Sequence, residues 1–334
     1  MRILITGCAG FIGFHLARRL LDAGHEVTGI DNLSPYYDPA LKHARLAQIE
    51  GRNGFRFVGM DIESAAELVS LFAMERPEIV FHLAAQAGVR HSISHPQAYV
   101  GANIVGTFNM LEACRAHTPA HLVLASTSSI YGASTSMPFD ERVRTAEPLT
   151  IYAASKGAGE LMAHSYAHLY AIPTTAVRFF TVYGPWGRPD MAYYIFARRI
   201  LSGEPLQINN NGSSLRDFTY IDDLVEAMAR LMDAIPGEDG RVEGDTLSAV
   251  APYRVVNAGG GQPVGLMDFV AEIEKAAGVT AQKLYRPLPA GDSDATFADT
   301  RLLRGLTGYA PQTPIADGIP KFVGWYRAQG FRYA

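Results

Sequence analysis

Apolar side chains in this sequence fall into two kinds of pattern. Residues 2–6, 27–30, 55–60, 79–83, 122–125, 174–178 and 254–257 form short, nearly continuous runs. Runs of that length predict buried strands. Residues 14–23, 97–117, 151–170 and 267–277 are longer, with apolar positions three and four apart, and predict helices. In 97–117 the stripe is Val100, Ile104, Phe108 and Leu111, which predicts a core-facing side. Strand and helix alternate through the first half of the chain, the order that builds a parallel, doubly wound α/β sheet. Residues 236–246, rich in Pro, Gly and acids, predict a surface loop.

The first strand runs into Gly7-Cys-Ala-Gly10-Phe-Ile-Gly13, then a helix, then the strand that ends at Asp31. Strand, glycine turn, helix and strand in that order form a dinucleotide-binding context. Glycines let the backbone approach a pyrophosphate, and the helix N-terminus around Phe11 and Ile12 offers free N–H groups. A carboxylate at Asp31 hydrogen-bonds both ribose hydroxyls of an adenosine and repels a 2′-phosphate, so the expected cofactor is NAD. Asn32 follows it. Asp61 and Ile62 repeat the strand-then-acid pattern, where Asp61 either contacts the adenine edge or caps a turn, and the small residues after Leu83, Ala84 and Ala85, let backbone lie close to the cofactor. This predicts a Rossmann-type domain over 1–180, with segments at about 215–258 returning to it. A smaller α/β substrate-binding domain is expected mainly from 181–334, with the cleft between the two.

Composition narrows the class. The chain has 334 residues, 48% hydrophobic and 19% charged, with a net charge of −4. That balance fits a soluble globular protein and gives no electrostatic basis for nucleic-acid binding. Cys8 and Cys114 are the only cysteines, too few for a disulfide scaffold and consistent with a reducing compartment. No signal-type segment and no apolar run long enough to span a bilayer is present. A cytoplasmic protein without membrane contact is expected. His82 has no Cys or His partner at metal spacing, so no metal site is expected.

Tyr152 and Lys156 stand four apart, on one face of the predicted 151–170 helix. An ammonium held near a phenol favours the phenolate, which takes a proton from a sugar hydroxyl while hydride leaves the same carbon. Ser126-Thr127-Ser128-Ser129 follows a buried strand, at the sheet edge where open α/β folds bind ligands. The loop after 174–178 is rich in Gly, Pro and aromatics. From Arg178 to Arg216 there are five arginines (178, 188, 198, 199, 216) against Asp190 and Glu204. The excess suits an anionic ligand, although a solvated helix face accounts for Arg198 and Arg199.

Together these motifs resemble the extended short-chain dehydrogenase/reductase family over almost the whole chain. Gly7-x-x-Gly10-x-x-Gly13, Asp31, the Ser/Thr cluster, Tyr152-x-x-x-Lys156 and Arg216-Asp-Phe stand in the family's order. The segments 179–191 and Gly88-Val-Arg-His-Ser-Ile93 resemble its UDP-glucuronate 4-epimerase branch. The resemblance implies tightly bound NAD, a UDP-sugar substrate and an NAD-dependent isomerase. Thr127 is then the third catalytic group beside Tyr152 and Lys156. Arg90, Ser92, Thr127 and Ser128 are implied on the substrate side, with Arg216 on the diphosphate and Asp292 on the uridine ribose. A homodimer through the helices near 97–117 and 152–171 is also implied. Cys8, where the branch usually has Ala, and Gly157 and Gly159 in the catalytic helix depart from the pattern.

Epimerisation of a glucuronate creates a hazard. The transient C4 ketone is β to the C6 carboxylate, and β-keto acids lose CO2. The carboxylate must be fixed out of alignment with the ketone, and Thr181 and Arg188 are the candidates. At 128–129 the related decarboxylases and dehydratases of the family carry carboxyl residues, whereas this chain has Ser128 and Ser129. That favours simple epimerisation. The alternatives are a UDP-glucose or UDP-N-acetylglucosamine 4-epimerase, disfavoured by Thr181 where those have Asn; a dehydrogenase exchanging free NAD; and a non-catalytic NAD sensor.

Overall fold

The computed structural model describes residues 1–289, 291 and 293–333. Its strands are β1 (Arg2–Thr6), β2 (Glu26–Asp31), β3 (Phe55–Gly59), β4 (Ile79–His82), β5 (His121–Thr127), β6 (Thr174–Phe179), β7 (Thr181–Tyr183), β8 (Leu206–Ile208), β9 (Leu215–Tyr220), β10 (Tyr253–Ala258), β11 (Pro263–Gly265) and β12 (Lys283–Tyr285). Seven of them form one sheet in the order β10-β6-β5-β4-β1-β2-β3. Every neighbouring pair in it is parallel.

Both faces of this sheet are covered, which is why its strands read as unbroken apolar runs. Side chains alternate across a strand. Ile3, Ile5, Phe81 and Val123 join the core beneath helices Phe11–Asp22 and Ile221–Leu231. Leu4, Val80, Leu122 and Leu124 join the core beneath helices Ala65–Glu75, Gly106–Ala116 and Ile151–Tyr170. From adjacent β1 and β4 the chain winds outward in opposite directions, leaving a crevice beyond their carboxyl ends.

A smaller layer holds the sheet β11-β9-β7 and the parallel pair β12-β8. An aromatic core supports it, with Phe218 stacked on Phe269 at 3.8 Å and Tyr193 edge-on to Phe322 at 4.9 Å. The expected return to the large sheet at about residue 215 begins later. β9 stays in the small sheet, helix Ile221–Leu231 packs on helix Phe11–Asp22, and β10 then joins the sheet edge.

The single helix expected over 97–117 is instead a helical turn (Pro96–Tyr99), a π-helical segment (Val100–Val105) and helix Gly106–Ala116. The wider turn accommodates an inward Asn103. Its Nδ2 donates to the Gln86 carbonyl (3.0 Å) and to Ser155 Oγ (2.9 Å), and its Oδ1 accepts from the Gln86 N–H (2.8 Å). The expected core face is partly wrong. Leu111 is buried, but Val100 and Phe108 are 43% and 44% exposed. Among the described residues no helix is long and apolar enough to cross a membrane.

Candidate active site

Backbone geometry requires the glycines of the first turn. Gly7 has φ +74°, and a Cβ there would lie 2.9 Å from the Ala84 nitrogen. A Cβ on Gly13 would lie 2.2 Å from the Gly7 carbonyl. Gly10 caps helix Phe11–Asp22 without a side-chain hydrogen bond, so no side chain blocks the helix N-terminus. Asp31 is buried and accepts from the Ala9 N–H (3.1 Å), the Leu33 N–H (2.8 Å) and Lys42 Nζ (3.3 Å). A carboxylate has about four acceptor positions, so one remains for a ribose hydroxyl. Asn32 donates to Asp61 across the same wall at 2.9 Å. Gly7, Gly10, Phe11, Ile12, Gly13, Asp31, Asn32, Asp61, Ile62, Leu83, Ala84 and Ala85 all line one cavity of about 960 Å³. An unobstructed helix terminus, a cradle that any Cβ would fill and a buried carboxylate fit NAD.

Thr127, Ser128, Tyr152 and Lys156 line that same cavity. Thr127 ends β5, and its hydroxyl accepts from the Ser129 N–H at 3.2 Å. Thr150 caps helix Ile151–Tyr170 by accepting from the Ala153 N–H at 3.2 Å, so Tyr152 falls in the first turn and Lys156 one turn on. Ser155 bonds the Tyr152 carbonyl (2.8 Å) and receives Asn103, which locks the helix start to the loop at Gln86.

The electrostatics differ from the simple phenol–ammonium picture. Burial raises the Tyr152 phenol, opposed by its hydrogen bond with Thr127 and by the Arg188 charge. Lys156 is not among the groups that lower it. Burial also pushes Lys156 down to about 8, against the pull of Glu160. Desolvation of the charged forms therefore dominates at both groups. Arg178, counted above toward an anion site, is neutralised beneath the floor by Glu160 at 2.8 Å, and Glu160 also takes the Ser126 hydroxyl at 2.6 Å.

Residues 3–242 match the model of the NAD dependent epimerase/dehydratase family. The chain belongs to that family. It is 54% identical to a probable UDP-glucuronate 4-epimerase of Rhizobium meliloti (strain 1021), over 100% of this chain and 99% of the relative. Among solved structures it is similar to the UDP-glucuronic acid 4-epimerase of Bacillus cereus in complex with UDP-glucuronic acid and NAD. That likeness has a TM-score of 0.88 and 33% identity, over 98% of this chain and 99% of the other. The Thermotoga maritima UDP-glucose 4-epimerase with UDP-glucose matches at TM-score 0.86 and 28% identity, over 98% and 99%.

Thr181, Arg188, Arg90 and Arg216 also line the cavity. Arg188 grips Asp190 through Nε (3.0 Å) and Nη2 (2.9 Å). Arg216 donates to the carbonyls of Ser293 (2.7 Å) and Asp294 (3.0 Å), which ties β9 to the 293–298 segment. Ser92 does not reach the cavity: it is buried, and its hydroxyl bonds the Val89 carbonyl at 2.6 Å. Asp292 lies outside the described residues.

Arg199 corrects the sequence reading. It is no solvated helix residue but lines the cavity, with Nη1 on the Pro205 carbonyl (3.0 Å) and Nε buried without a hydrogen-bond partner among the described residues. Tyr36 and Asp190 were missed because they enter from loops whose sequence carries no periodicity, and Lys42 because its short helix, Pro39–Leu46, was not predicted. Among the described residues, no three His, Cys, Asp or Glu side chains gather as a metal site.

Proposed function

We propose that this chain reversibly converts UDP-glucuronate to UDP-galacturonate by inverting C4 through a transient 4-keto sugar. Bound NAD accepts the C4 hydride and gives it back. Tyr152 takes the O4 proton, and Thr127 is placed to hand on or hold the same hydrogen bond. Lys156, one helical turn away, supplies positive charge below pH of about 8. A returned proton and hydride on the opposite sugar face complete the inversion without net redox change.

The observation that carries this reading is Arg188 on the wall of the cavity that holds Thr127, Tyr152 and Lys156. Its Nη1 makes no hydrogen bond to the described residues, so one edge of a fixed guanidinium is open to a uronate carboxylate. Thr181 opens β7 nearby and offers a short-reach hydroxyl that holds the carboxylate plane. Such a hold keeps the carboxylate from aligning with the C4 ketone and suppresses loss of CO2. Ser128 and Ser129 add no carboxyl acid that would promote elimination. Arg216 and Arg199 are read as contacts for the diphosphate end.

The finer organisation follows the same reading. Residues 1–180 with 221–258 form the NAD half, and the rest forms the UDP-sugar half. Leu161 (76% exposed) and Leu169 (62%), with Val100 and Phe108, give the helical side an apolar face suited to a homodimer. The deciding experiment incubates purified protein with UDP-glucuronate, without added NAD, and resolves the C4 epimers. Formation of the galacturonate is expected. Decarboxylated product, or turnover only with added NAD, would replace this reading.

A further inference from the structure

Arg45 sits in helix Pro39–Leu46, contributes nothing to the reaction above, and is fully buried. Among the described residues its guanidinium pairs with no carboxylate. A buried cation without a counter-ion is costly unless its N–H groups all find acceptors. Here they do. Nε donates to the Trp186 carbonyl at 3.0 Å, and Nη2 donates to the carbonyls of Trp186 (2.7 Å) and Gly187 (3.2 Å). Nη1 donates to the Ala9 carbonyl (2.9 Å) and to the Tyr37 hydroxyl (2.7 Å).

The carbonyl acceptors belong to two loops that this one guanidinium joins, and the Tyr37 hydroxyl to the segment just before its own helix. Ala9 lies in the glycine turn. Trp186 and Gly187 immediately precede Arg188. Trp186 has φ +63°, a left-handed conformation that a bulky side chain adopts only when its surroundings enforce it. Two further clips act on the same loop. His15 Nε2 donates to the Pro185 carbonyl at 3.0 Å, and the Tyr36 hydroxyl donates to Asp190, the partner of Arg188, at 3.1 Å. All three anchors come from the dinucleotide half.

We propose that Arg45 is a positioning residue for carboxylate recognition. By pinning the Trp186 and Gly187 carbonyls to the glycine turn, it aims Arg188 at the uronate carboxylate. Selection of a charged sugar is then set by the cofactor half. The inference rests on the reading of Arg188 as the carboxylate contact. Lysine cannot substitute, because a single ammonium does not present the planar fork that spans both loops.

The test uses NAD-saturated enzyme and compares the KM for UDP-glucuronate with the inhibition constant of UDP, which lacks the carboxylate. Arg45→Lys is expected to raise KM about tenfold or more, since small misplacements of a positioning group cost that much. UDP inhibition stays within about twofold, and Arg45→Lys/Arg188→Ala is no worse than Arg188→Ala within about twofold. Losses that multiply, or UDP inhibition weakening in step with KM, would overturn the proposal. A silent Arg45→Lys beside an effective Arg188→Ala would sink it alone. A silent Arg188→Ala would remove the carboxylate reading, and the inference with it. Should Arg45→Lys fail to fold, Tyr36→Phe carries the test. It is expected to raise KM about two- to fivefold only where Arg188 is present, and equal effects with and without Arg188 would refute the clamp.

Discussion

The two loops that Arg45 joins are built by opposite means. In the first turn Gly10 and Gly13 are determined locally by the Gly7 carbonyl, and only Gly7 answers to a distant segment, at Ala84. That turn lies between a strand and a helix contiguous with it, and its glycines are dictated by contacts as short as 2.2 Å from a would-be Cβ. The 184–191 loop is determined at long range. Its carbonyls are held by His15 and Arg45, its Asp190 by Tyr36, and Gly187 packs where a Cβ would meet the Tyr193 hydroxyl at 1.9 Å. A loop that must bind the constant part of a cofactor can be written in a short motif. The loop that carries Arg188 is held by side chains more than a hundred residues away. Its recognition residue can then be tuned without disturbing the cofactor turn.

The largest expected effect belongs to neither loop. Tyr152→Phe removes the proton acceptor and is expected to lower kcat by about 10²–10⁴. NAD extracted from the denatured variant stays at the wild-type amount; loss of NAD instead would make Tyr152 a structural residue. Arg188→Ala tests the long-range loop. Removing a charge-assisted hydrogen bond of about 1.5–3 kcal/mol raises the KM for UDP-glucuronate roughly 10- to 100-fold. Equal losses for UDP-glucuronate and UDP would assign Arg188 to the diphosphate.

Gly13→Ala tests the local turn. Relieving the contact with the Gly7 carbonyl costs about 1–3 kcal/mol of stability, as overpacking does, and co-purified NAD is expected to fall. Retention of both would mean that the turn yields more easily than its geometry implies. The smallest effect is acid sensitivity. Burial holds His15 and His82 down to about 3. Unfolded, each titrates near ~6.5, so the unfolded chain binds more protons between those values. Their contribution is fully present above ~6.5 and is lost as pH falls toward 3. His15→Gln should flatten the acid-side decline of Tm, and His82→Gln, in the sheet, should do likewise without affecting KM. An undiminished slope in both would assign acid loss to other groups.

The sequence by itself determined the parallel sheet, because strands buried on two faces must be apolar throughout, and Ile3, Leu4 and Ile5 divide between the two cores. It also determined the cofactor turn and the Tyr152–Lys156 spacing, since both depend on neighbours in the chain. Tertiary structure decided the rest. The apolar stripe at 97–117 gave no hint that Val100 and Phe108 lie outward, because Asn103 reaches inward to Gln86 and Ser155 and the helix widens there. Burial, not spacing, sets the Tyr152 and Lys156 ionisation. Arg199 and Arg45 reveal themselves only when folded, one as a cavity wall and the other as the link between two loops. Local motifs persist in sequence because their geometry is made by adjacent residues, whereas long-range anchoring depends on which distant backbone carbonyls the fold brings within reach of a side chain.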